Sequence, residues 1–339
     1  MSALLTSQQD LAAQQGQLLR DLARAETVQT LYQLYLGREA ADHDIRFALD
    51  RQMTVEGLEN MLRDSAEYQQ NGRLVTHWAR GPWDGSLLVV APARMIFCPI
   101  AKVANTSVKH WVLRLLGQSV ADAQLVHADL DEGRSPLIQA RHHSFGALHQ
   151  AITSPDWASV ALLRDPAERL VSCYWDKFVL NRTVPEVLRL TAPAYAQSYG
   201  TDTPSAAQLA RGISFRGFCR YINANPVAAM DSHWAPQARY LETHRWDRLF
   251  ALDQIDLFER FVLNRCPPDL RHIRLGLDNA SPRHPAPVLE DLSDVLPNQM
   301  EIYAKPADAA FLAADIRDFI QGYYAMDYVL LQSAAQTAD

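Results

Sequence analysis

Through residues 1–80 the apolar positions keep helical spacing. The stretch from Leu4 to Leu22 is rich in Gln, Ala and Leu. Val28, Leu31, Tyr32, Tyr35 and Leu36 mark one face of a second helix that Gly37 would end. Residues 42–52 and 54–69 read as two more, with Thr54 as an N-cap. Gly81-Pro-Trp-Asp-Gly85 breaks this rhythm and marks a boundary. Beyond it come strand candidates: the short apolar runs Leu87–Ala91 and Met95–Pro99, a short strand at Gln124–His127, the continuous apolar run Ser159–Leu163, suited to a buried parallel strand, and Arg248–Leu252. Helical patterns follow. Val108, Trp111, Val112, Leu115 and Leu116 lead to a stop at Gly117, and further helices fall at about 166–178, 254–265 and 306–324. Residues 190–213, rich in Ala, Thr, Ser and Pro, read as a long surface loop able to act as a lid, and 278–298 as irregular. Strands alternating with helices predict an α/β fold with a mostly parallel central sheet, preceded by a small all-helical domain. A ligand is then expected at the carboxyl ends of the strands.

Composition narrows this. The 339 residues are 48% hydrophobic and 21% charged, enough to bury a normal core. The formal charge of −7 argues against a general nucleic-acid binder and leaves room for a local basic pocket. There is no apolar run of the ~18 residues that a membrane span needs. The N-terminal stretch lacks the basic start and apolar core of a secretory signal, so a cytoplasmic location is expected. Cys98, Cys173, Cys219 and Cys266 form no close pair and are expected as buried thiols. No metal is expected, since His127, His142, His143 and His149 have no cysteine or carboxylate at ligand spacing.

Two strand–turn–helix units carry the candidate chemistry. In the first, Lys102, Asn105, Thr106 and Ser107 occupy the turn and Lys109 follows one helical turn later. Free backbone N–H groups at a strand-to-helix turn, with the helix dipole, suit an anion there. In the second, Arg164 leaves a strand, Asp165 is placed as N-cap, Pro166 fits the first helical position and Glu168 the capping-box position. Ser172 falls about two turns into that helix. Two such units imply two anion sites on one nucleotide. The Gly-x-x-x-x-Gly-Lys-Ser/Thr loop of ATPases and nucleotide kinases is absent, which counts against those classes. The plainer readings are a solvated helix start at Lys102 and Thr106, a structural ion pair of Arg164 with Asp165 or Glu168, and a Ser172 hydroxyl bonded back to its own helix. Tyr174, Phe178, Cys98 and Cys173 read as core.

Four ordered motifs carry a resemblance. Ala101-Lys-Val-Ala-Asn-Thr-Ser-Val-Lys109 resembles the Pro-Lys-Val-Ala-Cys-Thr-Asn-Trp-Lys loop of the Golgi carbohydrate sulfotransferases, which include the chondroitin 4-O-sulfotransferases. Leu163-Arg-Asp-Pro-Ala-Glu-Arg-Leu-Val-Ser-Cys-Tyr-Trp-Asp-Lys-Phe178 is similar to the second motif of that family, Asp231-Ser-His-Trp-Ala-Pro-Gln237 to a third, and Tyr324-Ala-Met-Asp-Tyr328 to its C-terminal end. The resemblance covers about residues 86–330 and implies a P-loop-like three-layer fold for residues 86–332. It implies 3′-phosphoadenosine 5′-phosphosulfate as sulfuryl donor and a carbohydrate or glycan-like hydroxyl as acceptor. Lys102, Val103, Ala104, Asn105, Thr106 and Ser107 would hold the 5′-phosphosulfate, with Lys109 secondary; Arg164 and Ser172 would hold the 3′-phosphate. Ala101, Asn105 and Val108 depart from the family's Pro, Cys and Trp, with Trp111 and Trp175 as aromatics that could compensate.

In-line transfer also needs a base. His142 in Arg141-His-His-Ser-Phe145 resembles the base context of heparan 2-O-sulfotransferases; His143 is the fallback, and His233 a third candidate placed with Lys177 on the acceptor side. The motif Leu31-Tyr32, Leu36-Gly37-Arg38 and Ser65-Ala-Glu67-Tyr68 resembles a small bacterial helical domain found beside glycan-modifying proteins, which suggests a bacterial chain and a surface for self-association or a partner. The competing function is a catalytically inactive nucleotide-binding adaptor acting through those helices.

Overall fold

The computed structural model describes residues 22–36, 38–71, 86–118, 137–139, 154–242, 246–276, 290–300 and 304–336. Five short strands form one sheet in the order β3-β1-β2-β4-β5: β1 Leu88–Val90, β2 Met95–Cys98, β3 Ile138–Gln139, β4 Ala158–Leu163 and β5 Arg248–Ala251. β4 lies between parallel neighbours, with Val160 opposite Phe97 on one side and Arg248 on the other. Only β1 runs against its neighbours, so the sheet is mixed but mostly parallel. Its direction has a simple cause. Ala91–Ala93 and Arg94 are all that join β1 to β2, and a parallel crossover needs about a dozen residues. All of β2 and β4 is buried, as their unbroken apolar runs require.

Each parallel strand feeds a helix. β2 leads to α5 Asn105–Leu115, β4 to α6 Pro166–Tyr174, and β5 to α11 Ile255–Arg265. The N-terminal helices α1 Ala25–Tyr35, α2 Asp42–Asp50, α3 Val55–Asp64 and α4 Ala66–Asn71 add Val28, Leu31, Tyr35, Val55, Leu58 and Leu62 to the same apolar cluster as the sheet. Thr54 caps α3, its hydroxyl accepting from Gly57 N–H at 3.0 Å. The helix expected over 54–69 is two, because Ser65 stops α3 and accepts from Tyr68 N–H at 3.1 Å to start α4.

A second core is helical and aromatic. It joins Leu170, Tyr174 and Phe178 to Tyr195 of α7 (Pro185–Tyr199), Phe215 and Phe218 of α9 (Phe215–Ala224), Trp234, and Ile316 and Ile320 of α12 (Ala314–Tyr323). The Phe178 and Phe218 rings lie 4.5 Å apart. The long loop expected at 190–213 is instead the greater part of α7 and α8 Ala206–Arg211. Pro185 sits where a first helical turn tolerates it, Gly200 at φ +62 ends α7, and Ser205 with Gln208 forms a capping box. Those are boundary signals, and a count of Ala, Thr, Ser and Pro mistakes them for a loop. The last helix expected at 306–324 is a 3-10 turn Asp308–Phe311, then α12, then α13 Ala325–Gln336.

Gly37, the expected element at 124–127 and all of that at 4–22 except Leu22 lie outside the described residues. Among the described residues no helix is long and apolar enough to cross a membrane, and no group of three His, Cys, Asp or Glu could hold a metal ion. The four cysteines are free and buried.

Candidate active site

The turn after β2 crosses the carboxyl edge of the sheet. Lys102 (φ +66) and Ala104 (φ +48) both take the left-handed conformation, which costs energy for any residue with a Cβ. Ala104 is the N-cap of α5 and supplies no side-chain cap. Among the described residues nothing accepts from the N–H groups of Val103, Ala104 or Asn105. Asn105 Oδ1 is buried with no partner. A strained turn with uncapped donors at a helix start is an anion cradle in chemical terms. Thr106 and Ser107 lie in the first turn of α5, and Lys109 is enclosed one step further on, at 6% exposure.

The Lys102 ammonium donates to Asp176 Oδ2 at 2.9 Å. Asp176 sits where α6 widens into a π turn, Trp175–Leu180, closed by Asn181 N–H donating to Asp176 O at 3.0 Å. Such turns are frequent at functional sites. Lys177 Nζ lies 3.2 Å from the same oxygen, and the Asn181 side chain donates to Oδ1 at 2.7 Å. Burial opposes the Asp176 charge, but the two lysines outweigh it and hold the carboxyl at about 2, below its ordinary 3.8. The folded value is the lower one, so this stabilisation is present above about 3.8 and is lost as pH falls toward 2. Denaturant melts over this window should show wild-type stability rising with pH, and a flatter rise for Asp176→Asn. An identical slope in the variant would rule the pair out as a contributor.

Arg164 leaves β4 beside the cradle. Its Nη1 donates to Lys102 O at 3.5 Å, its Nε to Glu168 Oε2 at 3.4 Å, and its Nη2 lies 3.9 Å from Asp308 Oδ2. The plain ion pair with Glu168 is thus real, but Glu168 is half exposed, so solvent screens it. Glu168 does not complete a capping box; Asp165 caps α6 alone, accepting from Ala167 and Glu168 N–H. The backbone of Arg164 is gripped twice by Gln237, which accepts from its N–H at 2.9 Å and donates to its O at 2.8 Å. Gln237 is held in turn by Asp327 of α13, whose carboxylate accepts from Gln237 N–H and Ala238 N–H, both at 2.8 Å. Asp327 is wholly enclosed, and burial raises its carboxyl above the ordinary value. Ser172, half-buried on α6, does not bond back to its helix, and its hydroxyl has no partner among the described residues.

Arg169 joins the motifs together. At 2% exposure it donates to Ala101 O at 2.9 Å, Ala235 O at 2.7 Å and Ser232 O at 3.0 Å. One guanidinium therefore ties the cradle loop to the segment 231–237. In that segment His233 Nδ1 lies 2.6 Å from Asp231 Oδ1, which also accepts from His233 N–H at 2.8 Å. Burial works against a charged Asp231; the His233 contacts, with a smaller part from Lys177, outweigh it and keep the carboxyl below its ordinary value.

Lys102, Arg164 and Lys177 are therefore brought together, and the charge of Lys177 links them to Asp231 and His233. His142 and His143 lie outside the described residues. Trp111 and Trp175 do not line the loop: both are core, with Trp111 donating to Ile273 O and Trp175 set against Phe311. Arg169, Asp176, Gln237, Asp327, Asp308 and Lys305 carry no role in the motif reading. Arg169 did leave a signal. Pro166, Arg169, Leu170, Cys173 and Tyr174 share one helical stripe, and a charge on an apolar stripe needs buried partners.

The fold and site define an α/β protein with paired cations over an open helix start at the carboxyl ends of parallel strands. Residues 86–262 match the model of the Sulfotransferase family, which is more than half the chain, and the chain belongs to that family. It is similar to carbohydrate sulfotransferase 10 of Danio rerio, at 33% identity over 38% of this chain and 35% of the relative. The Xenopus laevis protein of that name is 31% identical over 38% and 36%, and the Homo sapiens one 26% identical over 55% and 50%. The match thus spans about a third to a half of the length of these curated relatives. No solved structure matches the chain.

Proposed function

We propose that the protein is an O-sulfotransferase that moves a sulfuryl group from 3′-phosphoadenosine 5′-phosphosulfate to a hydroxyl of a carbohydrate or glycan-like acceptor. The observation that carries this reading is the placement of Lys102 and Arg164 at adjacent parallel strand ends, with the Arg164 guanidinium on the Lys102 carbonyl. A nucleotide with an anion at each end suits such a pair. The uncapped N–H groups after Lys102 fit the 5′ end, and the unpartnered Ser172 hydroxyl fits the 3′-phosphate with Arg164. The P-loop-like three-layer architecture belongs to the same reading. So does the carbohydrate acceptor, which the relatives' name supports.

The donor supplies an activated S–O bond. Lys102 offsets the negative charge that grows on the bridging oxygen as that bond breaks. The N–H groups of 103–107 hold the 5′ oxygens in line. A histidine takes the acceptor hydroxyl proton as the new S–O bond forms. His142 holds that role by resemblance, with His143 as the alternative. His233, steadied by Asp231 and close in charge to Lys177, serves the acceptor side. Incubation with sulfur-labelled donor and a panel of glycans should label an acceptor. His142→Ala, His143→Ala and His233→Ala then sort the base, whose loss should lower turnover by ~10²–10⁴-fold without weakening donor binding. Donor binding without transfer to any acceptor would favour the adaptor reading.

A further inference from the structure

His233 stands on a turn that the rest of the protein holds in place. Trp234 and Ala235 N–H both donate to the Asp231 carbonyl, at 3.1 and 2.8 Å. Ser232 O accepts from the Arg169 guanidinium at 3.0 Å and from the Tyr240 hydroxyl at 2.6 Å. Trp234 O accepts from the Tyr324 hydroxyl at 2.7 Å, and the Trp234 ring is buried 5.6 Å from that of Phe218. The His233 side chain, by contrast, stays 32% exposed. Asp231 Oδ1 accepts from His233 N–H, which is enough to close the turn. The further contact of that oxygen, to Nδ1 at 2.6 Å, adds nothing to the turn and costs a partly exposed ring its rotamer freedom. An ionised carboxylate only accepts, so Nδ1 carries the proton and the Nε2 lone pair is left open. Nε2 has no hydrogen-bond partner among the described residues. Arg169 also donates to Ala101 O, so one guanidinium sets this turn against the residue before Lys102. Lys177 completes the row: it shares Asp176 Oδ2 with Lys102, and its charge acts on Asp231.

We propose, resting on the transferase reading above, that His233 Nε2 is the base for the acceptor hydroxyl and that Asp231 is its positioning residue. His142 has its sequence context; His233 has a held turn, a set tautomer and a tie to the Lys102 loop. In the step, the acceptor O–H bond breaks and its proton passes to Nε2. The acceptor oxygen bonds to sulfur as the bond from sulfur to the bridging oxygen breaks. That electron pair leaves with 3′-phosphoadenosine 5′-phosphate. Asp231 then faces an imidazolium, and the short contact at Nδ1 becomes a charge-assisted pair that favours the transfer.

The test measures transfer from sulfur-labelled donor to the glycan that wild type labels, at varied acceptor, beside calorimetric titration of 3′-phosphoadenosine 5′-phosphate. His233→Ala should lower kcat ~10²–10⁴-fold and leave acceptor KM and nucleotide affinity within about threefold. Asp231→Asn separates positioning from structure. Its amide oxygen accepts the same two N–H groups, so a purely structural Asp231 predicts wild-type rates. Loss of the charge beside the imidazolium should instead lower kcat about ten- to a hundredfold. Three results overturn the proposal alone: a kcat for His233→Ala within about tenfold of wild type, a loss carried by acceptor KM only, or wild-type kcat in Asp231→Asn. A wild-type chain that binds the nucleotide and labels no glycan overturns the transferase reading and this inference with it.

Discussion

Replacing Lys102 with alanine should lower sulfuryl transfer by ~10²–10³-fold while leaving the fold intact, on the scale seen when one preorganised donor to a developing anion is removed. Two features of the site set this expectation. The Lys102 ammonium is poised at the cradle mouth by Asp176, with its side chain only 20% exposed, so its charge acts in a partly desolvated place. Its removal also orphans nothing. Asp176 keeps Lys177 at 3.2 Å and the Asn181 amide at 2.7 Å. Alanine at φ +66 is strained as lysine is, so the backbone term nearly cancels. Transfer rates at saturating donor and acceptor, beside a thermal melt, check both features. A variant that melts like wild type and turns over within tenfold of it would remove Lys102 from the chemistry. Asp176→Asn should act in the other direction on binding, since it loosens the tether on the ammonium.

Arg169→Met should destabilise the protein by about 3–5 kcal/mol, because three enclosed carbonyls lose their partner at once. Methionine fills much of the volume, so the loss is mainly of hydrogen bonds. It leaves the carbonyls of Ala101, Ser232 and Ala235 without their guanidinium partner, and each such group costs about 1–3 kcal/mol when enclosed. Arg169→Lys should recover only part of this, because one ammonium cannot reproduce the planar fork that reaches three carbonyls. Equilibrium unfolding in urea measures it. A cost under about 1 kcal/mol would mean that water replaces the guanidinium. Donor affinity should fall too, since the same contacts set the cradle loop against the segment 231–237.

What was legible in the sequence was whatever declared itself locally. β2 and β4 are near-continuous runs, buried throughout, of the kind a sheet covered on both faces explains. Thr54 and Asp165 announced their helices through side chains that cap within two or three residues. Lys102 and Arg164 could be placed because each follows a strand and opens a helix. The supporting shell was not legible, for a physical reason: its partners are far apart along the chain. Asp176 meets Lys102 across 74 positions, and Gln237 meets Arg164 across 73. No spacing rule spans such distances. The reversal of β1 was implicit in a short connection that a reading of strand content alone passes over. The helices at 185–211 were hidden by Pro and Ser placed at helix starts, where the same residues that end helices begin them.

The Asp327 clasp has a consequence for how the molecule comes to be. Arg164 is held by Gln237, and Gln237 by a carboxylate 90 residues further on. On the ribosome, therefore, both strand–turn units emerge long before the group that secures them. Nascent chains halted ahead of α13 should carry the sheet strands but grip nucleotide poorly, because contacts this distant in sequence close late. The order of synthesis thereby leaves the Arg164 turn unsecured until α13 has emerged.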